Sequence, residues 1–591
     1  MYSKTFTCAF GAVLLCVLSG AALFAAPVTN APESYLNIYR DHEMHLGPEH
    51  TYPPGTRIRN INIHVQEVFE PGQFFFSEAA NALHWTSIES SIRRDLLYAE
   101  GDKFNQSLID ESERILRKGR RIVEHTRVVP VSREEGDEAD GEWVDIYIDT
   151  RDIWSLLITP RLVPSDGKLL YGMTVEEKNF LGRSLKTKFF LDRSHFFTRW
   201  HQQFEDPRFL NSRWRFFERA GLRHDNDGKH VGEELELTVE RPFFSRSEEW
   251  SWYATCSYNN GLVVKNDKSE YAQVEVEPDF FCDEKYYHKN LILETKLTRS
   301  FGYTNKLNVG LFLRTEKNRY RIHEDLDPAH ANNFRDASAF MKEDSTRHKA
   351  GLSITANNHK WIRLRGYKHQ GVIEDFPLGS SLDSSVAVSH KAWASDENAF
   401  YFSLELAHNA VLFGNQISQS FVGFTSAYTD ENGQRDMVTT FRYIHHFRNV
   451  PSGTLSLKAE TIFGERLDTD AYLTLGANKG FRGYSNNYFE GNRSILFSAE
   501  YRFKPFPSFQ FWPLPTRGRL SLVVFSDLGS CWYSQEHSIR DIQLLPTAGV
   551  GLCLSAPGIM SSMARFNFAT NFGYGEAKMD NIYSFTIGHS F

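Results

Sequence analysis

One arginine stands alone in a glycine-rich segment late in the chain. Arg482 lies between Phe481 and Gly483 in residues 473–484, which read Leu-Thr-Leu-Gly-Ala-Asn-Lys-Gly-Phe-Arg-Gly-Tyr and end at Tyr484. A guanidinium is a forked donor that matches carboxylate oxygens, and a glycine beside it lets the backbone turn closely. An arginine-glycine pair by itself is an ordinary exposed loop, so its chemistry depends on the elements around it.

Patterns for covalent or metal chemistry do not occur in the sequence. We find no Gly-x-Ser-x-Gly, no His-Glu-x-x-His, no phosphate-binding glycine loop and no Cys-x-x-Cys pair. His445 and His446 are neighbours on a predicted strand and therefore face opposite ways, which disfavours a metal site there. We expect no enzyme activity, no cofactor and no metal.

The composition excludes several other classes of protein. The chain has 591 residues, of which 41% are hydrophobic and 24% charged, so a folded protein of more than one unit is expected. Its net charge of −8 gives no basic excess for nucleic acid. A mean hydropathy of −0.43 is too polar for a bundle of membrane helices, although 14% of the residues are aromatic.

The N-terminus predicts export. Lys4 precedes an apolar stretch ending in Ala-Ala-Pro, so residues 1–26 fit a signal peptide cleaved after Ala22 or near Ala26, with an N-terminal anchor helix as the alternative. Residues 27–55 form an N-terminal extension. Pairing among the four remaining cysteines is left open, and these are Cys256, Cys282, Cys531 and Cys553.

Residues 56–153 predict a small mixed domain of order β-α-α-β-β. The first strand alternates at residues 61, 63 and 65, and the first helix repeats apolar residues at 88, 92 and 96. A second helix follows Asn105, and two strands flank an acidic turn at residues 134–138. A longer stretch between the first strand and the first helix is expected to be a loop.

Residues 154–591 predict many strands with a period of two. Apolar side chains alternate with polar or charged ones in residues 235–240, 455–463, 495–503, 520–527, 547–555, 565–572 and 583–591. This pattern fits a transmembrane barrel whose apolar face meets lipid, and it also fits a soluble sandwich that hides that face between two sheets. Export, strand-end aromatics and a strand ending at Phe591 favour the barrel.

Two long polar stretches within this region, residues 322–348 and 371–396, contain few alternating residues. We expect both to be surface loops, because such barrels place their excess length there.

The motifs resemble the BamA/TamA superfamily of outer-membrane assembly and translocation proteins. Residues 92–105, Ile-Arg-Arg-Asp-Leu-Leu-Tyr-Ala-Glu-Gly-Asp-Lys-Phe-Asn, resemble a POTRA module, and only one copy is present. The loop at Arg482 resembles the arginine-glycine loop that precedes the last five strands in that family. Residues 152–155, 177–182 and 204–210 resemble its transition into the barrel and an early hairpin.

The resemblance implies a POTRA domain followed by a transmembrane barrel of about 16 antiparallel strands of the surface antigen type. It implies that the loop residues Phe481, Arg482, Gly483 and Tyr484 fold into the lumen, where the arginine pairs with acids on the next strands. Glu500 and Asp527 occupy the matching acidic motifs. Phe481 stands where the family more often has an aliphatic residue.

The closing strand resembles the family's C-terminal assembly signal. Tyr583, Phe585, Ile587 and Phe591 conform to it, whereas His589 departs from the usual apolar or aromatic residue. Recognition by a barrel assembly machinery is therefore expected, with that departure noted.

The function implied is assistance to insertion or translocation of other polypeptides at the outer membrane, with the POTRA-like domain in the periplasm. Client strands would pair at an edge of the POTRA sheet and at the barrel seam. Partners would be outer-membrane lipids, client outer-membrane or secreted polypeptides and periplasmic or lipoprotein partners, with no nucleic acid. The alternative is a passive channel or a surface receptor barrel without insertase activity.

Overall fold

The computed structural model describes most of the chain from residue 52 onward. The described residues are 52–53, 55–69, 77–82, 84–120, 123–131, 143–165, 168–267, 270–338, 341–358, 360–365, 367, 373–413, 416–448, 450–468, 472–485, 487–506, 509–510, 517–555, 563–573 and 581–587. The proposed signal peptide and nearly all of the N-terminal extension lie outside them.

The first unit is a three-stranded sheet with helices packed on it. Its strands are β1 (Arg57–Gln66), β2 (Val123–Val131) and β3 (Trp143–Asp152), and its helices are α1 (Ser77–Ala82), α2 (Glu89–Arg93) and α3 (Gln106–Arg120). The sheet order is β1-β3-β2, with β3 parallel to β1 and antiparallel to β2. Alternate residues of β3 point into one core, because a strand buries every second side chain. That core contains Ile58, Ile92, Leu116, Val144, Ile146 and Ile148.

The stretch expected to be a loop between the first strand and the first predicted helix contains α1. Asn81 of α1 holds the backbone of Phe69, accepting from its N at 3.3 Å and donating to its O at 2.8 Å. These two hydrogen bonds hold the short helix against the backbone at Phe69. Because the helix has only six residues, the periodicity of the sequence did not predict it.

The second unit is one large antiparallel sheet with small two-stranded additions. Its strands are β4 (Leu156–Ser165), β5 (Lys168–Phe180), β6 (Leu185–Arg193), β7 (Phe197–Phe209), β8 (Trp214–Asp225), β9 (His230–Arg241), β10 (Trp250–Val264), β15 (Lys285–Phe301), β16 (Lys306–Ile322), β17 (Ser345–Asn357), β18 (Lys360–Arg365), β19 (Ile373–Ser389), β20 (Ala399–Leu412), β21 (Gln416–Thr429), β22 (Gly433–Phe447), β23 (Gly453–Glu465), β26 (Arg493–Phe503), β27 (Phe509–Gln510), β28 (Arg517–Trp532), β29 (Leu545–Ser555), β30 (Ala564–Asn571) and β31 (Asn581–Ile587). The additions are β11 (Asn266–Asp267) with β12 (Glu270–Tyr271), β13 (Gln273–Glu277) with β14 (Phe280–Asp283), and β24 (Leu473–Leu475) with β25 (Phe489–Gly491).

The described sheet holds more strands than the expected sixteen. Its order contains 22 strands. Because β18 continues β17 alongside β19, and β27 continues β26 alongside β28, these amount to about twenty strand positions. The figure of sixteen came from the family resemblance, and the sequence pattern by itself divides poorly where strands such as β6 and β7 are separated by only three residues.

The last strand stands next to the first in the sheet order. Pairing is described residue by residue for every junction from β4 around to β31, and the β31–β4 junction is the one for which no register is described. Closure at that junction is treated below as a proposal.

The two faces of the sheet differ in chemistry. We call the face that carries Glu500 and Asp527 the inner face and its opposite the outer face. Following the paired residues from Glu500 through β23, β22, β21, β20, β19 and β17 to β16 places Leu311 and Val309 on the outer face. Cross-strand ion pairs line the inner face, among them Arg219–Glu236 at 2.6 Å and Arg314–Glu294 at 2.9 Å.

The small unit docks on the hairpin turns at one end of the large sheet. The N–H of Ile88 donates to Gly182 O at 3.0 Å, and Asn179 Nδ2 donates to Trp85 O at 2.7 Å. Arg208 and Asp95 form an ion pair of 2.7 Å. Further contacts come from Arg94 to Asn211 and from the Arg246 N–H to Glu111. The long loops, including the one with Arg482, leave the opposite end.

Only one of the two polar stretches expected to be surface loops is a loop. Residues 323–344 connect β16 to β17 and contain helix α4 (Ala331–Ala337), whose Phe334 is fully buried in a small core with Val276, Tyr286, Leu326 and Met341. The prediction for residues 371–396 is wrong, because β19 occupies most of it. One face of this strand carries Phe376, Leu378, Leu382, Val386 and Val388, but five serines together with Pro377 and Gly379 give the segment the composition of a loop.

Among the helices of the described residues, none combines the length and apolar character needed to span a bilayer. The four cysteines of the described region carry free thiols.

Candidate functional site

The loop that contains Arg482 is held in shape by its own backbone. It leaves the short β24, makes a tight turn at Ala477–Lys479, and returns through β25, which pairs with β24. The Phe481 N–H donates to Gly476 O at 3.0 Å, which closes the turn just before the arginine. The arginine is therefore presented by a folded loop.

Arg482 is clamped by two carboxylates on the inner face. Its Nε and Nη2 lie 2.8 Å and 2.6 Å from the two oxygens of Asp527, and its Nη1 lies 2.8 Å from Glu500 Oε2. The Arg482 backbone N–H also donates to Asp527 at 3.1 Å. Bidentate pairing of this kind is the strong form of the arginine–carboxylate contact. The structure thus brings together the arginine and both acids named from the sequence.

A second arginine, missed in the sequence, completes the cluster. Arg565 on β30 is fully buried and donates to both oxygens of Glu500, at 3.1 Å and 2.9 Å, while its Nε donates to Asn567 at 2.6 Å. The alternation of residues 565–572 already placed Arg565 on the inner face. A charge at an inner position was the available signal, because a buried arginine needs a carboxylate partner.

Phe525 forms the floor beneath both guanidiniums. The Arg482 Cζ lies 3.7 Å and the Arg565 Cζ 5.8 Å from the centre of its ring. Gly549 on the next strand leaves room for this ring, because a Cβ there would lie 2.4 Å from the ring edge. A cation over an aromatic face adds stabilisation when it is desolvated, as here.

Gly483 lies close to the sheet. Its φ of +98° is a backbone conformation that favours glycine. A Cβ at this position would lie 3.1 Å from the Thr547 side chain and 3.2 Å from Thr570 O. Asn571 Nδ2 donates to Gly483 O at 3.1 Å. These contacts fix the loop against β29 and β30 as well as against β26 and β28.

The aromatic neighbours of the arginine are buried. Phe481 is fully buried, Tyr484 is 2% exposed, and their ring centres lie 4.8 Å apart. They pack in an apolar cluster with Leu475, Leu496, Cys531 and Leu545. Phe481 therefore fills a core position.

The cluster is built to hold the loop and contains no arrangement for covalent chemistry. Two carboxylates face two buried arginines, and a third arginine, Arg502, approaches Glu500 Oε1 at 3.4 Å, so every carboxylate has a cationic partner. Within the described residues, no group of three or more His, Cys, Asp or Glu could hold a metal ion. The arrangement can tether a long loop to four strands at once.

The proposed C-terminal signal is described only in part. Tyr583 lies in β31 with 73% of its side chain exposed. Phe585 and Ile587 belong to the same strand, but their side chains lie outside the described set, as do Phe591 and His589 altogether.

Comparisons with known proteins give structural matches only. No protein-family profile matches the chain, and no curated protein matches it. Among solved structures, BamA from Haemophilus ducreyi lacking POTRA domains 1–3 matches at 14% identity and a TM-score of 0.37, covering 90% of this chain and 84% of that one. CdiB from Escherichia coli matches at 11% identity and a TM-score of 0.41, covering 90% and 76%.

A third structure, the FrpB iron transporter from Neisseria meningitidis, matches at 9% identity and a TM-score of 0.36, covering 79% of this chain and 84% of that one. Matches of this strength carry no argument about function. The case for a function therefore depends on the geometry of this chain.

Proposed function

We propose that this chain is an outer-membrane β-barrel protein of the BamA/TamA superfamily that assists insertion or translocation of other polypeptides. The observation that supports it most is the loop at Arg482, which folds onto the inner face and is clamped by Glu500 and Asp527. That loop, those acids and the five strands that follow it are the features on which the resemblance depends.

The outer face supports the membrane part of the proposal. Leu297, Leu311 and Leu352 are direct cross-strand neighbours on β15, β16 and β17, and each is exposed, Leu311 by 62%. A row of exposed leucines is costly in water and suits lipid. We propose that the sheet closes between β31 and β4, which removes the free edges that would otherwise lie in the bilayer.

We propose that residues 56–153 form a single POTRA-like periplasmic domain. In its sheet the outer edge of β1 is partly occupied, because the Ile58 N–H donates to Asp102 O at 2.9 Å and the Gly101 N–H donates to Ile58 O at 2.7 Å. Within the described residues, the outer edge of β2 pairs with no strand. A client strand would add there through main-chain hydrogen bonds.

The seam between β31 and β4 is the proposed second site for client strands. A junction with weak pairing exposes backbone N–H and C=O groups that another strand can take up. The end of the chain would then serve both as its own assembly signal and as one side of that seam, through Tyr583, Phe585, Ile587 and Phe591. In this reading the chain needs no cofactor and carries out no covalent reaction.

The test is depletion of the protein from its host cells, followed by quantification of every other outer-membrane barrel and every secreted polypeptide. We expect a subset of them to fall, and wild-type chain supplied in trans to restore that subset. The alternative, a passive channel or surface receptor, predicts unchanged levels of the others together with measurable single-channel conductance or ligand uptake. Unchanged levels would therefore contradict the assembly function while leaving the barrel intact.

A further inference from the structure

The outer face of β15 and β16 carries a cluster of cations at the end far from the small domain. Lys317, Arg319 and Arg321 follow one another at every second position of β16, so all three point the same way, and Lys289 of β15 lies directly opposite Arg319. All four are exposed. We call these four residues the basic face.

The placement of the basic face matches the level of a lipid headgroup. Below it on the same side of β16 lie Leu307, Val309, Leu311 and Leu313, all exposed. Ten residues separate Leu307 from Lys317, or about 33 Å along a strand, which a tilt of 35–45° reduces to about 25 Å of height. That is the height of the apolar band of a membrane barrel, so Lys317 stands at its upper rim.

The cations lack enough local acid to balance them. Arg319 Nε lies 3.5 Å from Asp344, and the Lys289 Nζ lies 5.3 Å from the ring centre of Tyr258. In the part of the chain that the structure describes, neither Lys317 nor Arg321 has a carboxylate within ion-pair distance. Another acid on this face, Glu233 of β9, accepts hydrogen bonds from Tyr258, Asn260 and His230.

The neighbouring charges at the tip of the hairpin are already paired. Lys285 meets Asp325 at 3.4 Å, and Lys229 meets Glu324 at 3.5 Å. Like charges directly opposite one another, as Lys289 and Arg319 are, destabilise a strand pair. The sheet tolerates them most readily when an anion lies between them.

We propose that the basic face binds the phosphate-bearing headgroup of an anionic lipid in the leaflet at the loop end of the barrel. Its acyl chains would lie on the leucine row of β15, β16 and β17, while its phosphate would accept hydrogen bonds from Arg319, Arg321 and Lys317. Arginine is suited to phosphate through its forked donors, and lysine acts as a point charge. The proposal rests on the membrane location proposed above and adds a specific lipid site to it.

The test uses the full chain in neutral detergent, titrated with short-chain phosphatidylglycerol, short-chain phosphatidylcholine and inorganic phosphate, with bound lipid counted by native mass spectrometry. We expect phosphatidylglycerol to bind at least about tenfold more tightly than phosphatidylcholine, a preference that salt weakens. The double variant Lys317→Gln/Arg321→Gln should lose that preference. The control Lys391→Gln/Arg466→Gln removes the same charge from exposed loops at the same end and should keep it.

Equal binding of the two lipids by the wild-type chain would overturn the proposal, and so would an unchanged preference in the Lys317/Arg321 variant. Inorganic phosphate that competes as well as the lipid would indicate a free-anion site and would also overturn it. Because the titration is done in detergent, its result does not depend on membrane insertion. A chain that fails to insert into phosphatidylcholine vesicles would instead contradict the proposed barrel, independently of the basic face.

Discussion

At the scale of single residues, the loop is secured by shared charges. Glu500 accepts from Arg482 and from Arg565, so one carboxylate joins the loop to β30 while Asp527 joins it to β28. Burying such a pair gains little by itself, but removing one partner leaves an uncompensated charge, which costs about 3–5 kcal/mol. The cluster therefore makes detachment of the loop expensive without adding much to overall stability.

Replacing Arg482 by alanine should release the loop. Asp527 would lose both hydrogen bonds from the Arg482 guanidinium, and its buried carboxylate would be left without that charged partner. We expect impaired function or barrel maturation, measured as the fraction of heat-modifiable folded barrel in membranes. The control Arg335→Ala changes an exposed arginine of α4 at the same end. Equal behaviour of the two variants would contradict the pairing.

Replacing Glu500 by glutamine tests the shared acceptor without changing its size. With a neutral amide at position 500, Arg482 keeps Asp527 as a charged partner but Arg565 loses Glu500, so we expect destabilisation of several kcal/mol. Protease cleavage within residues 473–484 and a lowered temperature of barrel unfolding would report it. Glu490→Gln is the matched control, because Glu490 is part-exposed and pairs with Lys265 at 3.3 Å. A larger effect at Glu490 would exclude this role for Glu500.

At the scale of elements, the small domain is attached through tight hairpin turns. Gly182 sits in the β5–β6 turn at φ +67°, and its carbonyl receives the Ile88 N–H. A Cβ at Gly182 would lie 2.3 Å from Thr86 O. The turn and the domain therefore approach each other more closely than any side chain would allow.

Gly182→Ala should separate the small domain from the sheet. The control Gly228→Ala lies in another turn at φ +86° with open space around it, so it carries the same backbone strain without the clash. We expect faster hydrogen exchange at residues 86–88 and 179–182 in the Gly182 variant only. Matching exchange in the two variants would mean that backbone strain, and not the close contact, governs docking.

Acid should weaken the strand pairing within the small domain. Hydrogen bonds from Arg59 of β1 lower the pKa of Asp145 on β3 below its ordinary value. A carboxyl group whose pKa is lower in the folded state stabilises the fold at any pH above its unfolded-state pKa of about 3.9. This stabilisation is lost as the pH falls through the folded-state pKa. Exchange of β1 and β3 amides should therefore accelerate in that acid range. Asp145→Asn should remove this part of the pH dependence, and an unaltered profile would contradict the assignment.

How far each element could be predicted depended on the contrast between its faces. Strands β26 and β28 have apolar residues opposite polar ones, so the existence of both strands and the common face of Glu500 and Asp527 could be predicted, although the predicted residues 520–527 are only half of β28. Strand β19 also has an apolar face, but its serines, Pro377 and Gly379 give it the composition of a loop, and it was predicted as one. The face to which Arg565 points could be predicted from alternation. Its partner Glu500 lies 65 residues away in sequence, and the pairing depends on the register of the sheet.

At the scale of the whole molecule, the sheet separates two kinds of surface. Its inner face pairs charges across strands, as in Lys186–Glu205 at 3.2 Å between β6 and β7, whereas its outer face presents leucine rows. The small domain covers turns at one end, and the loop core around Phe334 lies at the other. This polarity is the reverse of a soluble protein with an apolar interior, and it makes a direct prediction about which face a charge can occupy.

Leu311→Arg and Asn308→Arg place the same charge on opposite faces of β16. Leu311 points outward, so an arginine there would cost about 2–4 kcal/mol near the middle of a bilayer, whereas Asn308 lies on the inner face, which already carries Arg314 on the same strand. We expect the folded fraction in membranes to fall for Leu311→Arg and to stay close to wild type for Asn308→Arg, measured by heat modifiability. The reverse order would mean that water, and not lipid, bathes the leucine row, and the membrane location would then have to be abandoned.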